Sequence, residues 1–126
     1  MIIKDPGHSY GLNQLDEPEG HFLGLHFVKR VGEKYPGNKS SHPGVNLQEV
    51  FRVCIDRLRY LHSQEPCWED EAIIYDLKMA IWLLEMRAAR RHERVLAPNS
   101  FDNIEREPFC KNCGHIQCGG TCGLQP

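Results

Sequence analysis

Four cysteines stand in the stretch CKNCGHIQCGGTC, at positions 110, 113, 118 and 122. The spacing C-x2-C-x4-C-x3-C suits metal chemistry: a C-x2-C turn puts two thiolates on one side of a bend. Gly114, Gly119 and Gly120 then let the chain fold back and complete a tetrahedron of sulfurs around zinc. His115 is a rival fourth ligand. A site with four protein donors has no open position for substrate, so zinc here is expected to be structural. The other two cysteines do not suggest nucleophiles. Cys54 falls on an apolar helical stripe and Cys67 in a turn, where a thiol is ordinarily a small packed residue. The seven histidines, at 8, 21, 26, 42, 62, 92 and 115, form no metal-ligand spacing. Glu69, Asp70 and Glu71 fall where a helix start favours acids through its dipole.

The basic residues form a second constellation. Lys29 and Arg30 of "FVKR", then Lys34, Lys39, Arg52, Arg57 and Arg59, flank the loop "YPGNKSSHPGVN" and the helix start that follows it. Helix N-termini attract anions, so phosphate would fit there. The same loop also reads as scaffolding, with Pro36 and Pro43 fixing turns and Gly37 and Gly44 supplying positive φ. In "EMRAARRHER", Arg87, Arg91 and Arg94 share a helical face, with Arg90 adjoining. Complementing a helix C-terminus accounts for Arg91 and Arg94 better than for Arg87, which lies more than a turn inside.

The elements that must position these groups are legible from period. "HSYGLNQL" and "HFLGLHFVK" alternate as strands, with Leu23, Leu25 and Phe27 on one face, and "DEPEG" between them has the content of a hairpin turn. From Asn46, a helix cap with Glu49 three residues on, a helix is predicted to run to about Ser63. Its apolar stripe is Leu47, Phe51, Cys54, Ile55, Leu58 and Leu61, with Arg52, Asp56 and Arg59 facing away. Pro66 interrupts the pattern. A second helix is predicted from about Glu69 to Arg94, with the stripe Ile73, Leu77, Ala80, Ile81, Leu84 and Ala88. Ile74, Trp82, Leu83 and Met86 spread apolar surface beyond what one partner helix covers, which implies further burial by the sheet or by other subunits.

The expected fold is therefore α+β: a small N-terminal antiparallel sheet, a long antiparallel helical hairpin and a short Cys-rich tail. We expect one domain over 1–95, with strands at about 8–30, a loop at 31–45 and the hairpin at 46–94. A linker at 96–109 should lead into the tail at 110–126, and chelation should loosen only the residues from about 105 on. A length of 126 residues favours a single domain. With 40% hydrophobic and 25% charged residues the chain has the balance of a soluble globular protein. No apolar run approaches the ~18 residues of a membrane helix. "MIIKDPGHSY" has none of the features of a secretory signal, so a cytoplasmic place is expected, where cysteines stay thiols or bind metal. The net charge of −2 argues against a general nucleic-acid binder.

With the hairpin "NLQEVFRVCIDRLRYLHSQEPCWEDEAIIYDLKMAIWLLEMRAARR" in view, the chain resembles the phage anti-defence sponge proteins of the anti-CBASS and anti-Thoeris type. The shared pattern is E-V, I-D-R-L, an aromatic-Leu pair, a Pro-bearing turn and L-L-E-x-R-x-A-x-R, over about residues 46–91. The preceding strands and the length bring it closer to the anti-Thoeris branch. The resemblance implies a non-enzymatic binder of cyclic nucleotide or cyclic ADP-ribose-type immune signals, assembled as an oligomer, often a hexamer. It implies a pocket using Tyr60, Asp70 and Arg87, with Arg91 nearby. An aromatic ring stacks a nucleobase and a guanidinium grips phosphate. Asp70 departs from the pattern, standing where an amide is expected. In an oligomer, Lys29, Arg30, Tyr35 and Asn38 of one subunit would close over the hairpin pocket of another. The tail resembles a zinc knuckle and is no part of the sponge pattern. The runner-up reading is a nucleic-acid-associated zinc adaptor, and a third is a small hydrolase of the same signals.

Overall fold

The computed structural model describes residues 1–33, 37 and 39–123. Its elements run β1 (Ile2–Asp5), β2 (Ser9–Asn13), β3 (Phe22–His26), β4 (Lys29–Val31), β5 (Lys39–His42), α1 (Leu47–Gln64), α2 (Trp68–Arg91) and a 3-10 helix (Pro98–Arg106). The mixed α+β class expected from periodicity is what is found. Two compact units divide between Asn46 and Leu47, so the single domain expected over 1–95 is corrected. The strands pair only with one another among the described residues, whereas the hairpin completes its core with residues that follow it.

In the first unit β2 and β3 pair antiparallel, with Leu12 opposite Leu23 and Tyr10 opposite Leu25, across the turn that "DEPEG" predicts. β1 adds to the outer side of β2, with Ile2 opposite Gly11. The segment expected as a loop holds β5, which pairs with β4 in a separate two-stranded ribbon. Its glycines have a firm reason to be there. A Cβ on Gly44 would lie 2.5 Å from the Phe27 carbonyl carbon, 2.6 Å from the Val28 nitrogen and 2.7 Å from the His26 oxygen. At that crossing Val45 N–H donates to His26 O and Val28 N–H to Val45 O, each at 2.9 Å. Gly37, at φ +118, is pressed equally hard against the backbone of Arg30 and Val31. Gly37 and Gly44 thus each stand where one stretch of backbone crosses another, but of the two only Gly37 takes the positive φ expected of both, and Gly44 is required by close approach alone.

In the second unit α1 and α2 form the antiparallel hairpin, with His62 beside Asp70 at one end and Gln48 beside Glu85 near the other. α2 opens with three acids in its first turn. It ends at Arg91, earlier than expected, because Glu93 takes φ 54, a left-handed residue that turns the chain out of the helix. Arg94 thereby leaves the helical face of Arg87.

The hydrophobic core is Ile55, Ile81, Ala89, Leu96, Ile104 and Ile116, with Phe51, Ile74, Leu77 and Trp82 packed against it. Half of those buried residues come after position 95. The segment expected as a linker is instead the 3-10 helix, broken at Asn103 (φ −125, ψ 34), and it lays Ile104 fully buried against the hairpin. An alternating stripe was invisible there because 3-10 turns place side chains at period three over too short a run. On α1 the buried face centres on Gln48, Phe51 and Ile55, leaving Leu47, Cys54 and Leu61 on its exposed margin. Arg52, expected to face away, is held inward with its side chain 11% exposed. Its guanidinium lies 4.8 Å from the centre of the Phe109 ring and donates from Nη1 to Glu49 Oε2 at 3.0 Å.

Candidate metal centre and ligand residues

Cys110, Cys113, Cys118 and Cys122 come together, their Sγ atoms all within 4.8 Å of one another. A tetrahedral tetrathiolate zinc with Zn–S of about 2.3 Å has sulfurs about 3.8 Å apart, so the four donors fit such an ion with small inward shifts. Local backbone makes the cluster. Gly114 N–H donates to Cys110 O at 2.7 Å and Cys110 N–H to His115 O at 2.9 Å, while Thr121 N–H donates to Cys118 O at 3.0 Å. Each pair of cysteines thus sits on its own tight turn, with Gly114, Gly119 and Gly120 at positive φ. The thiols differ sharply. Burial pushes Cys113 up, past a lowering contact from the His115 backbone and helped by hydrogen bonding with Cys110 and Cys118. Burial also opposes ionisation of Cys118, but hydrogen bonds from the Cys122 backbone and side chain, Cys113 and the Gly120 backbone outweigh it and lower that thiol to about 6.

His115 does not join the sulfurs. Its Nδ1 lies 3.2 Å from Glu85 Oε2 and 3.1 Å from Gln48 Nε2, turned toward the hairpin. Glu85 is fully buried, and it also accepts from Ile116 N–H at 3.0 Å and from Gln48 Nε2 at 3.2 Å. Arg94 holds the loop from the other side, donating from Nη1 to Ile116 O and Gln117 O, each at 2.8 Å. Gln117 in turn accepts from Ala97 N–H and donates to Ser100 Oγ. None of this network was anticipated. A signal existed for Glu85: it stands four residues after Ile81 and three before Ala88, inside the predicted apolar stripe, where a carboxylate needs partners from elsewhere.

Within the second unit, Tyr60 and Asp70 stand at the opposite end of α2 from Arg87 and Arg91. Tyr60 and Asp70 flank the interhelical turn; Tyr60 is 53% exposed, its ring 5.6 Å from the Arg57 guanidinium. Asp70 lies 3.6 Å from His62. Arg87 and Arg91 belong to the last turns of α2. Seventeen residues separate Asp70 from Arg87 in the sequence, about 25 Å at the helical rise of about 1.5 Å per residue. The Arg87 side chain is exposed and makes no hydrogen bond or ion pair among the described residues. In the first unit Lys29 Nζ donates to Asp5 Oδ2 at 3.3 Å and Arg30 Nη1 to Ser40 Oγ. Tyr35 and Asn38 lie outside the described residues.

A groove of about 500 Å³ at the turn end of the hairpin is lined by Arg59, His62, Ser63, Glu71, Ile74, Tyr75 and Lys78. Its charges are internally matched. Arg59 pairs with Glu105, His62 stands between Asp70 and Glu71, and Lys78 Nζ donates to Asp102 O at 2.7 Å. No helix among the described residues is long and apolar enough to cross a membrane. No protein-family model, curated protein or solved structure matches the chain.

Proposed function

We propose that this protein is a non-catalytic binder, a sponge that holds a cyclic nucleotide or cyclic ADP-ribose-type immune signal and so blocks bacterial anti-phage defence. Arg87 carries the reading. An exposed guanidinium without an acid partner among the described residues, bordered by exposed Leu83 and Met86, suits an anionic ligand with an apolar body. Tyr60 adds an exposed ring suited to stacking, at the opposite end of the hairpin. A ligand using both is held between copies, Tyr60 of one against Arg87 of another, which favours a homo-oligomer of up to the six subunits seen in the sponges it resembles. The four cysteines hold a structural zinc in this reading, and the protein acts in the cytoplasm, that of the host if a phage encodes it.

Thermal-shift screening against cyclic nucleotides and cyclic ADP-ribose isomers tests the proposal, followed by heating the complex and identifying what is released. Intact ligand supports a sponge; a cleaved product makes the protein a hydrolase. Steeply salt-dependent binding to polynucleotides, with no small ligand found, would replace the reading by a nucleic-acid adaptor. Light scattering that gives a monomer at micromolar concentration removes the shared site.

A further inference from the structure

Glu85 is a fully buried carboxylate between buried Ile81 and buried Ala88 on one face of α2. A charge in such a place is costly unless its lone pairs are taken. Gln48 Nε2 supplies one partner from α1. Both others, the Ile116 N–H at 3.0 Å and His115 Nδ1 at 3.2 Å, come from the cysteine loop. His115 and Ile116 stand between Cys113 and Cys118, so a metal gripping those two sulfurs tethers this stretch at both ends. Ile116 also carries its side chain, 0% exposed, into the hairpin core.

We propose, resting on the reading of the four cysteines as a metal site, that Glu85 is a positioning residue for that site and that metal binding and closure of the hairpin core are coupled through it. With metal bound, residues 113–118 are held where the Ile116 side chain fills the core and its N–H meets Glu85. Without metal both sulfur tethers are lost and the stretch is held only through Arg94 and Gln117; Ile116 then withdraws more readily, and whenever it does Glu85 keeps only Gln48 in an apolar setting. The loosening then reaches α2 around Ile81–Ala89, rather than stopping at about residue 105. Thermodynamic linkage makes the effect reciprocal: the factor by which Glu85 strengthens metal binding is the factor by which metal favours the satisfied state of Glu85. Arg87 lies within this stretch of α2 and Arg91 two residues beyond it, so metal occupancy also governs how the ligand-facing end of the helix is presented.

The test uses the full chain and Zn²⁺. Competition with a chromophoric chelator measures zinc affinity for the wild type and Glu85→Gln, and amide hydrogen exchange follows residues 81–89 with and without zinc. Glu85 holds His115 and Ile116, which stand between two ligands, and no ligand directly; the ten- to hundredfold loss that follows removal of a direct support of a ligand is therefore an upper bound, and a loss of up to about tenfold is expected for Glu85→Gln. Exchange at 81–89 should rise when zinc is removed from the wild type. Equal zinc affinity in a folded Glu85→Gln, or unchanged exchange at 81–89 while only residues after about 105 loosen, overturns the coupling and leaves the metal site standing. A wild type that binds no zinc overturns the metal reading and the coupling with it. Should Glu85→Gln fail to fold, Cys113→Ser removes a ligand and keeps Glu85: raised exchange at 81–89 supports the coupling, and unchanged exchange refutes it.

Discussion

Ile104→Ala is the substitution that most directly weighs the role of the segment after the hairpin. Ile104 is 0% exposed and belongs to the core cluster with Ile55, Ile81 and Ile116. The change deletes three carbons. At about 0.8 kcal/mol per buried CH₂ the lost transfer term is about 2.4 kcal/mol, and the cavity left behind brings the total to about 3–4 kcal/mol. In a unit of this size each kcal/mol moves the melting temperature by about 4–8 °C, so a fall of at least about 12 °C is expected. Thermal melts followed by far-UV circular dichroism at 222 nm read the helices directly. Val53→Ala is the control, since Val53 is 63% exposed on α1; its melt should shift by no more than about 4 °C, in line with an effect within about 0.5 kcal/mol. If Ile104→Ala melts alongside that control, the 3-10 helix is a linker after all and the core stops at the hairpin.

Gly44→Ala should destabilise the first unit, because the new methyl would stand 2.5–2.7 Å from the backbone of Phe27, Val28 and His26; a loss of about 1–3 kcal/mol is expected from denaturant titration with a probe in the sheet. Arg87→Ala should fold normally and lose about 1.5–3 kcal/mol of ligand affinity, roughly ten- to hundredfold by calorimetric titration, and unchanged affinity removes Arg87 from the site. His92 gives a pH signature. Burial first, then the charges of Arg94, Arg91 and His115, hold its pKa below the usual histidine range. The folded state therefore binds fewer protons than the unfolded one. Stability from this group is complete above about pH 6.5 and declines as pH falls toward the folded pKa. His92→Gln should flatten the melting temperature between about pH 7 and pH 5 relative to wild type; parallel curves would assign the slope to other groups.

Period and turn chemistry carried much of the architecture on their own. Alternation in "HSYGLNQL" and "HFLGLHFVK" marked β2 and β3, the 3.6-residue stripe and Pro66 marked two helices, and the C-x2-C spacing marked the cysteine cluster, because each of these signals is local. What sequence alone left undecided is what depends on partners distant along the chain. Glu85 shows in the sequence as an acid inside an apolar stripe, but its partners Ile116 N–H and His115 arrive from thirty residues away and nothing local names them. Ile104 and Leu96 look like loop residues until the hairpin offers them a surface, and Gly44 looks like a turn glycine until the Phe27–Val28 backbone crosses it. The grouping of Tyr60, Asp70 and Arg87 followed from their order in a pattern, yet the helical rise puts Arg87 at the far end of α2 from Asp70. Spacing along a chain determines which side chains share a helix face or a turn; only tertiary packing decides which distant groups meet, since that depends on how whole elements bury their apolar surface against one another.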